Sequence, residues 1–420
     1  MKRISILALL LCAFAGLAWA QREAVPRLSK RAIQHHQTLN TGSNAADART
    51  GLSPIQEASS HLGKVWELGT YNGGTWTWLG DINDFGLAIG MGDIGDGHTR
   101  TLAVPLFGPG AGQWFDLGRL AQEDETGVEE PLVAISDTGL VVTHSIASNG
   151  YVHAVVWTSQ TGMVDLGTLT NLGYKAYNSS YAAGVNKLGT LIVGWSGVEQ
   201  SCLDCAPALP VAWTPSFYWR DGKWNLKWNM QKLDTTGFDD LTYWYVWNVN
   251  DSGQISGIAH NDDFSVYRPI LWNPLPNGKG WKIVPFTKTP SFNWSDFFGI
   301  NDRGELVGDD GATGLAALWK PLNPQRSSYG STIVLPHPEG LTTCYADGIN
   351  KVGDITGECW GDAGDQAVRW NANDPTFVEI LGLPGDASAV WKVNDFRIAE
   401  GVYVGGKCTG DLCGIAAQLR

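Results

Sequence analysis

Tyr245-Val246-Trp247-Asn248-Val249-Asn250-Asp251-Ser252-Gly253-Gln254-Ile255-Ser256-Gly257-Ile258-Ala259 decides the fold of this chain. It reads as a strand, a tight turn at Asn250 to Gly253, and a second strand. Asn and Asp tolerate left-handed backbone and Gly carries no Cβ, so the three types concentrate where a hairpin must reverse. Downstream, Pro269 to Trp272 and Trp281 to Phe286 supply a third and a fourth strand.

The turn recurs. Equivalents are Ile82-Asn83-Asp84 with Gly86, Ile135-Ser136-Asp137 with Gly139, and Val185-Asn186-Lys187 with Gly189. Ile300-Asn301-Asp302 with Gly304, Ile349-Asn350-Lys351 with Gly353, and Val393-Asn394-Asp395 with Arg397 in the glycine position complete a set of seven, spaced 44 to 64 residues apart. A period of this size marks units that cannot bury their apolar faces alone. Five third strands end in Trp, at Trp157, Trp213, Trp272, Trp319 and Trp370, and a Trp at a fixed repeat position packs between adjacent sheets. Repeats one and seven carry Pro105 and Gln418 near that position.

Fourth strands are expected at 114–118, 163–167, 230–234, 281–286, 331–335 and 377–382, and the seventh repeat has none. An orphan strand, Val65 to Gly69, precedes repeat one. It is expected to complete the last unit, closing the ring and removing its edges. The predicted fold is all-β, a seven-bladed β-propeller over residues 61–420.

The first twenty residues pair Lys2 and Arg3 with an apolar run and a small-residue close at Ala18-Trp19-Ala20, the pattern of a signal peptide. Residues 21–60 read as a flexible polar leader. A secreted or periplasmic, monomeric protein is therefore the expectation. The net charge of −13, with 29 basic and 42 acidic residues, becomes 27 minus 42, or −15, without residues 1–20. That sign repels phosphate and anionic lipid, so neither nucleic acid nor membrane is an expected partner.

Six cysteines remain after cleavage, an even number that favours disulfides in an oxidising compartment. Cys344 and Cys359 are equidistant from the Asn350 turn, and Cys408 and Cys413 bracket a second hairpin tip. Cys202 and Cys205 have redox or zinc spacing, but no second Cys or His pair accompanies them, and a local disulfide is the preferred reading.

The second repeat, Tyr151-Val152-His153-Ala154-Val155-Val156-Trp157 followed by Asp165-Leu166-Gly167, resembles the HAF repeat of bacterial extracellular proteins. The resemblance implies secretion and propeller-like repeats, and brings no catalytic residue.

Propellers place function on the loops joining strand two to three and strand four to the next blade, and those loops are rich in aromatics. Tyr174, Tyr177, Trp244, Trp294, Trp360 and Trp391 are the expected ligand-binding residues, suited to stacking on sugars or gripping peptide. The leading reading is a non-catalytic binder of an extracellular carbohydrate or protein. Its rival is a polysaccharide-degrading lyase or glycosidase in which His144, His260, Tyr243, Tyr267 and Arg268 do proton chemistry on the same face. No cofactor is expected, and no metal: Asp93 with Asp96, or Asp362 with Asp365, offer at most two carboxylates each. The Asn and Asp residues of the seven turns are read as turn chemistry.

Overall fold

The computed structural model describes residues 62–95, 98–120, 132–198, 207–263, 265–276, 278–284, 297–311, 313–322, 330–362 and 364–420. The expected signal peptide and leader, Cys202, Cys205 and Trp294 lie outside them.

Twenty-eight strands, β1 to β28 in chain order, form seven four-stranded antiparallel sheets among the described residues. Blade four has the order anticipated above: β14 (Tyr243–Val249), β15 (Ile255–His260), β16 (Tyr267–Pro274) and β17 (Trp281–Val284). The ring is closed by β1 (Leu62–Gly69), which pairs antiparallel with β28 (Cys413–Leu419) outside β27 (Ile398–Val404) and β26 (Ala387–Val393). The orphan strand thus completes the last blade, and its pairing with the chain's final strand removes an open edge from the ring.

The third-strand tryptophans are packing residues. Trp213, Trp272, Trp319 and Trp370 are buried, and three of their indole N–H groups reach back to the preceding blade: Trp213 to the Leu166 carbonyl, Trp272 to Asp234 and Trp370 to Pro336. Each adds a hydrogen bond worth about 1 kcal/mol to the apolar burial. In blades one and seven Val104 and Ala417 occupy the tryptophan register, and Pro105 and Gln418 follow them. The Gln418 amide instead donates to the Phe396 carbonyl at 2.8 Å, tying the last strand to its blade's tight turn.

Six of the innermost strands share a feature that periodicity did not reveal. Each has a register shift just before its turn, between Leu79/Asp81, Ala182/Gly184, Val246/Asn248, Phe297/Gly299, Ala346/Gly348 and Val390/Lys392. Such a bulge adds one unpaired residue and re-aims its side chain. Trp247, Phe298, Asp347 and Trp391 are residues of this kind.

Two of the anticipated disulfides are formed, Cys344–Cys359 across a strand pair and Cys408–Cys413 at a hairpin tip. No helix among the described residues is long and apolar enough to cross a membrane.

Candidate functional site

The seven tight turns meet around the axis and interlock. Asn side-chain amides donate to the neighbouring turn's carbonyl, Asn250 to Asn301, Asn301 to Asn350, Asn350 to Asn394 and Asn394 to Asn83, all at 2.9 to 3.1 Å. A second belt runs outside it. The backbone N–H of Asp84 donates to the Asp137 carboxylate, Lys187 to Asp251, Asp251 to Asp302, Lys351 to Asp395 and Asp395 to Asp84. The Asn and Asp of the repeat therefore do more than shape a turn: except Asn186, whose amide donates to Thr190 of its own turn, they also fasten one blade to the next.

The belts surround a cavity of about 110 Å³ at the mouth of the axial channel. Five carboxylates, of Asp84, Asp137, Asp251, Asp302 and Asp395, face two lysines there. The Lys187 ammonium crosses the mouth to Asp84, at 2.8 Å, and to Asp395, which Lys351 also meets at 3.0 Å. Among the described residues no ammonium or guanidinium reaches ion-pair distance of Asp137, Asp251 or Asp302, although Lys187 acts on the first two from further off. Burial raises Asp137 and Asp251 above the ordinary carboxylate range, and the charges of Asp84 and Asp302 add to it.

Deeper in the same region, Lys392 faces Asp81 and Asp347 and lies cross-strand from Glu400. Asp81 is held by the backbone N–H groups of Ile82 and Ile135, both at 2.9 Å. Burial pushes Asp347 up to about 7 against the pull of Lys392. Burial, reinforced by Asp81, pushes Glu400 well above its ordinary value. Among the described residues no group of three or more His, Cys, Asp or Glu side chains is placed to hold a metal ion.

The histidines proposed for proton chemistry are drawn into one buried aromatic train. His144 packs on Tyr181 at 5.5 Å, Tyr181 stacks on Trp195 at 5.5 Å, Trp195 meets Tyr245 at 5.2 Å, and Tyr245 meets His260 at 5.9 Å. His260 is sandwiched between its cross-strand neighbours Tyr243, at 4.6 Å, and Tyr267, at 5.9 Å. Both histidines are buried, and burial lowers both to about 4, so both rings are neutral at neutral pH. Arg268 pairs with Ala259 rather than His260, which puts it on the other face of the sheet, and its guanidinium donates to the Tyr267 carbonyl at 3.2 Å. The structure brings Tyr243, His260 and Tyr267 together and leaves Arg268 out. A His–Tyr–Arg set within reach of one substrate atom is not formed.

The expected aromatic face divides similarly. Trp244 is buried in the core of blade four, its indole N–H donating to the Leu241 carbonyl at 3.1 Å. Trp360 is buried against Tyr345 at 4.9 Å, and Trp391 packs edge-on against Trp78 at 5.5 Å. Tyr174 is exposed, with half-buried Tyr177 edge-on at 6.2 Å. Only this tyrosine pair, among the described members of the set, offers a ring surface to a ligand there. His153, the His of the HAF-like segment, is structural: one ring nitrogen meets Asp165 at 2.8 Å and the other Asn149 at 3.2 Å.

The large apolar side chains that do face solvent lie mostly at the opposite end. Ten of the sixteen among the described residues are on the face of the tight turns. Phe85, Leu188, Val352 and Phe396 occupy the residue after Asp or Lys in four of those turns, with Phe85 74% exposed and Phe396 64%. Phe107 and Leu322 lie in connections from third to fourth strands, and Phe217, Tyr218, Trp219 and Leu226 in another. Tyr151, Leu172 and Tyr174 alone represent the loop face. The signal was legible as an apolar residue in a turn position that polar residues normally fill.

No family model matches the chain, and no curated protein matches it significantly. Among solved structures, a polysaccharide lyase, Uly1, is 10% identical with a TM-score of 0.47, the match covering 86% of this chain and 99% of that one. A Trypanosoma rangeli sialidase is 11% identical with a TM-score of 0.42, covering 71% of this chain and 56% of the sialidase. Porphyromonas gingivalis dipeptidyl peptidase 4 is 8% identical with a TM-score of 0.40, covering 81% and 56%. This chain thus spans little more than half the length of the sialidase. These likenesses are too distant to transfer a residue or an activity.

Proposed function

We propose that the protein is an exported, non-catalytic binding propeller that holds an extracellular protein ligand on the face of its tight turns. The observation that carries the reading is the exposure of Val352, Phe396 and Phe85 on the adjacent turns of blades six, seven and one, with Leu188 on blade three, beside a polar mouth. Contiguous apolar side chains rimmed by polar groups mark interaction surfaces. A basic side chain of the ligand entering the mouth meets Asp137, Asp251 and Asp302, and its apolar neighbours meet the crown. This charge complementarity favours a protein over a neutral glycan. The amino-terminal signal-peptide pattern and the two disulfides support an oxidising, extracellular setting.

The test compares captures from the native extracellular fraction. The wild-type protein is expected to retain a defined protein set that Phe85→Ser with Phe396→Ser loses and Tyr174→Ser keeps. Loss through Tyr174→Ser instead, or retention of glycans in place of proteins, contradicts the reading. His144 and His260, the bases assigned to the lyase alternative, are both buried.

A further inference from the structure

Blade three departs from the other six in one respect. Its outer hairpin, β12 (Ala208–Arg220) and β13 (Lys223–Lys232), holds register over ten residue pairs, from Val211 opposite Lys232 to Arg220 opposite Lys223. The equivalent pairs in the other blades with a β-hairpin here run to five at most. The neighbouring strand β11 (Ile192–Gly197) stops pairing at Trp213, so residues 214–220 and their partners stand beyond the blade as a two-stranded fin. Seven residues at roughly 3.3 Å each carry it about 23 Å past the blade. Asp221 and Gly222 at its tip both have positive φ, 52° and 76°, as a tight two-residue hairpin turn requires.

The fin is amphipathic. Alternation puts Phe217, Trp219 and Leu226 on one face, with Phe217 68% and Trp219 61% exposed. Ser216, Tyr218, Arg220, Asn225 and Lys227 alternate onto the other, a mainly polar face with one tyrosine. At the root Trp228 packs back onto the blade, but nothing in the propeller's closure calls for the apolar face above it. The hairpin's 25 residues, 208–232, carry Arg220, Lys223, Lys227 and Lys232 against a single acid, Asp221, in a chain whose net charge is −13.

We propose that this hairpin is an interfacial anchor that docks the propeller on an anionic lipid surface. Trp, Tyr and Phe favour the boundary between headgroups and acyl chains, and Lys and Arg beside them attract anionic headgroups. Phe217, Leu226 and Pro215 on the apolar face have no groups to bond sugar hydroxyls and Trp219 has only its indole N–H, whereas a sugar platform sets polar partners beside its rings. The acidic turns do not oppose the docking. The fin's length is more than twice the screening length of about 8 Å at physiological salt, so the negative mouth is held clear of the surface. Net charge alone excluded this partner; its local reversal on one element restores it. The proposal is independent of the protein ligand at the channel mouth.

Vesicle flotation tests it, using phosphatidylcholine vesicles with and without phosphatidylglycerol. The full chain is expected to float with the anionic vesicles, less with phosphatidylcholine alone, and less as salt rises. Phe217→Ser with Trp219→Ser should abolish flotation, and Arg220→Gln and Lys227→Gln should each weaken partition roughly fivefold. Phe85→Ser with Phe396→Ser should float as the wild type does, which separates this surface from the proposed protein site. Failure of the wild type to float at low salt, or unchanged flotation of the Phe217/Trp219 variant, overturns the proposal. So does a mobility shift of the wild type in gels containing polyanionic polysaccharide, or a dimer by light scattering, if the same variant removes it while flotation is absent.

Discussion

Arg397 is the residue that breaks the repeat, and the structure gives the reason. The other turns with an Asn-x-x-Gly pattern use Gly where the backbone is left-handed, whereas Arg397 holds φ of 66° at a cost of roughly 1 kcal/mol. Its guanidinium recovers that cost by a two-pronged contact with Asp354 of blade six, at 2.9 and 3.1 Å. Arg397→Ala keeps the strain and loses the contact, so stability in urea should fall by about 1–2 kcal/mol. Arg397→Gly should fall less, because it also relieves the backbone. Asn394 is a second test at this scale. It accepts from two N–H groups of its own turn and donates to the Asn83 carbonyl of blade one. Asn394→Ala should cost about 2 kcal/mol by the same measurement, since it leaves buried partners unmet. The sequence allowed a turn role for this Asn but gave no hint of the contact between blades, which joins residues 311 positions apart.

Titration follows at the same scale. A carboxyl raised in the folded state binds its proton more tightly there than in the unfolded chain. Asp347, moved from 3.8 to about 7, therefore contributes stability that is present below the ordinary value and is lost as pH rises across that interval. His144 and His260, lowered from 6.5 to about 4, act in the opposite sense: their contribution is present above 6.5 and is lost as pH falls toward 4. Thermal stability should peak at mildly acidic pH. Asp347→Asn should remove the decline just below pH 7 and steepen the fall toward pH 4, where the carboxyl no longer opposes the histidines, as differential scanning calorimetry across pH will report.

At the scale of the element, the hairpins were the most legible part of the chain and one of them was the least. Residues 250–253 declare a turn through Asn, Asp and Gly, and the strands on either side follow. The fin carries an equally strong signal, Asp221-Gly222 between alternating residues. The repeat period places the fourth strand at 230–234. The observed strand instead begins at Lys223. Bulges in the inner strands were not legible, because one inserted residue leaves both flanking runs looking regular. The disulfides were legible from their symmetry about a turn. Cys344–Cys359 closes a span of 15 residues and Cys408–Cys413 one of 5. Chain entropy alone gives about 3 and about 2 kcal/mol for loops of these lengths. Paired Cys→Ser variants unfolded in urea should show losses in that order.

At the scale of the molecule, the orphan strand settled the blade count, and its removal tests the closure. Deleting residues 62–69 opens the ring between blades seven and one and exposes the edge of β28. A single cooperative transition should then give way to a broader, earlier one, accompanied by aggregation through the open edge. The functional face was not legible in the same way. Irregular spacing marked Trp244, Trp360 and His260 as loop residues, yet all three lie in strands and are buried, His260 between Tyr243 and Tyr267 and Trp360 against Tyr345. The repeated turns looked like scaffold because they repeat, and the apolar third residue at Phe85, Leu188, Val352 and Phe396 was absorbed into that reading.

The claim that the turn face, rather than the loop face, receives the ligand can be measured by placing a photo-crosslinking amino acid at Phe396 and, separately, at Tyr174. Illumination in the native extracellular fraction should give a discrete protein adduct from position 396 and none from position 174. An adduct from 174 alone contradicts the account.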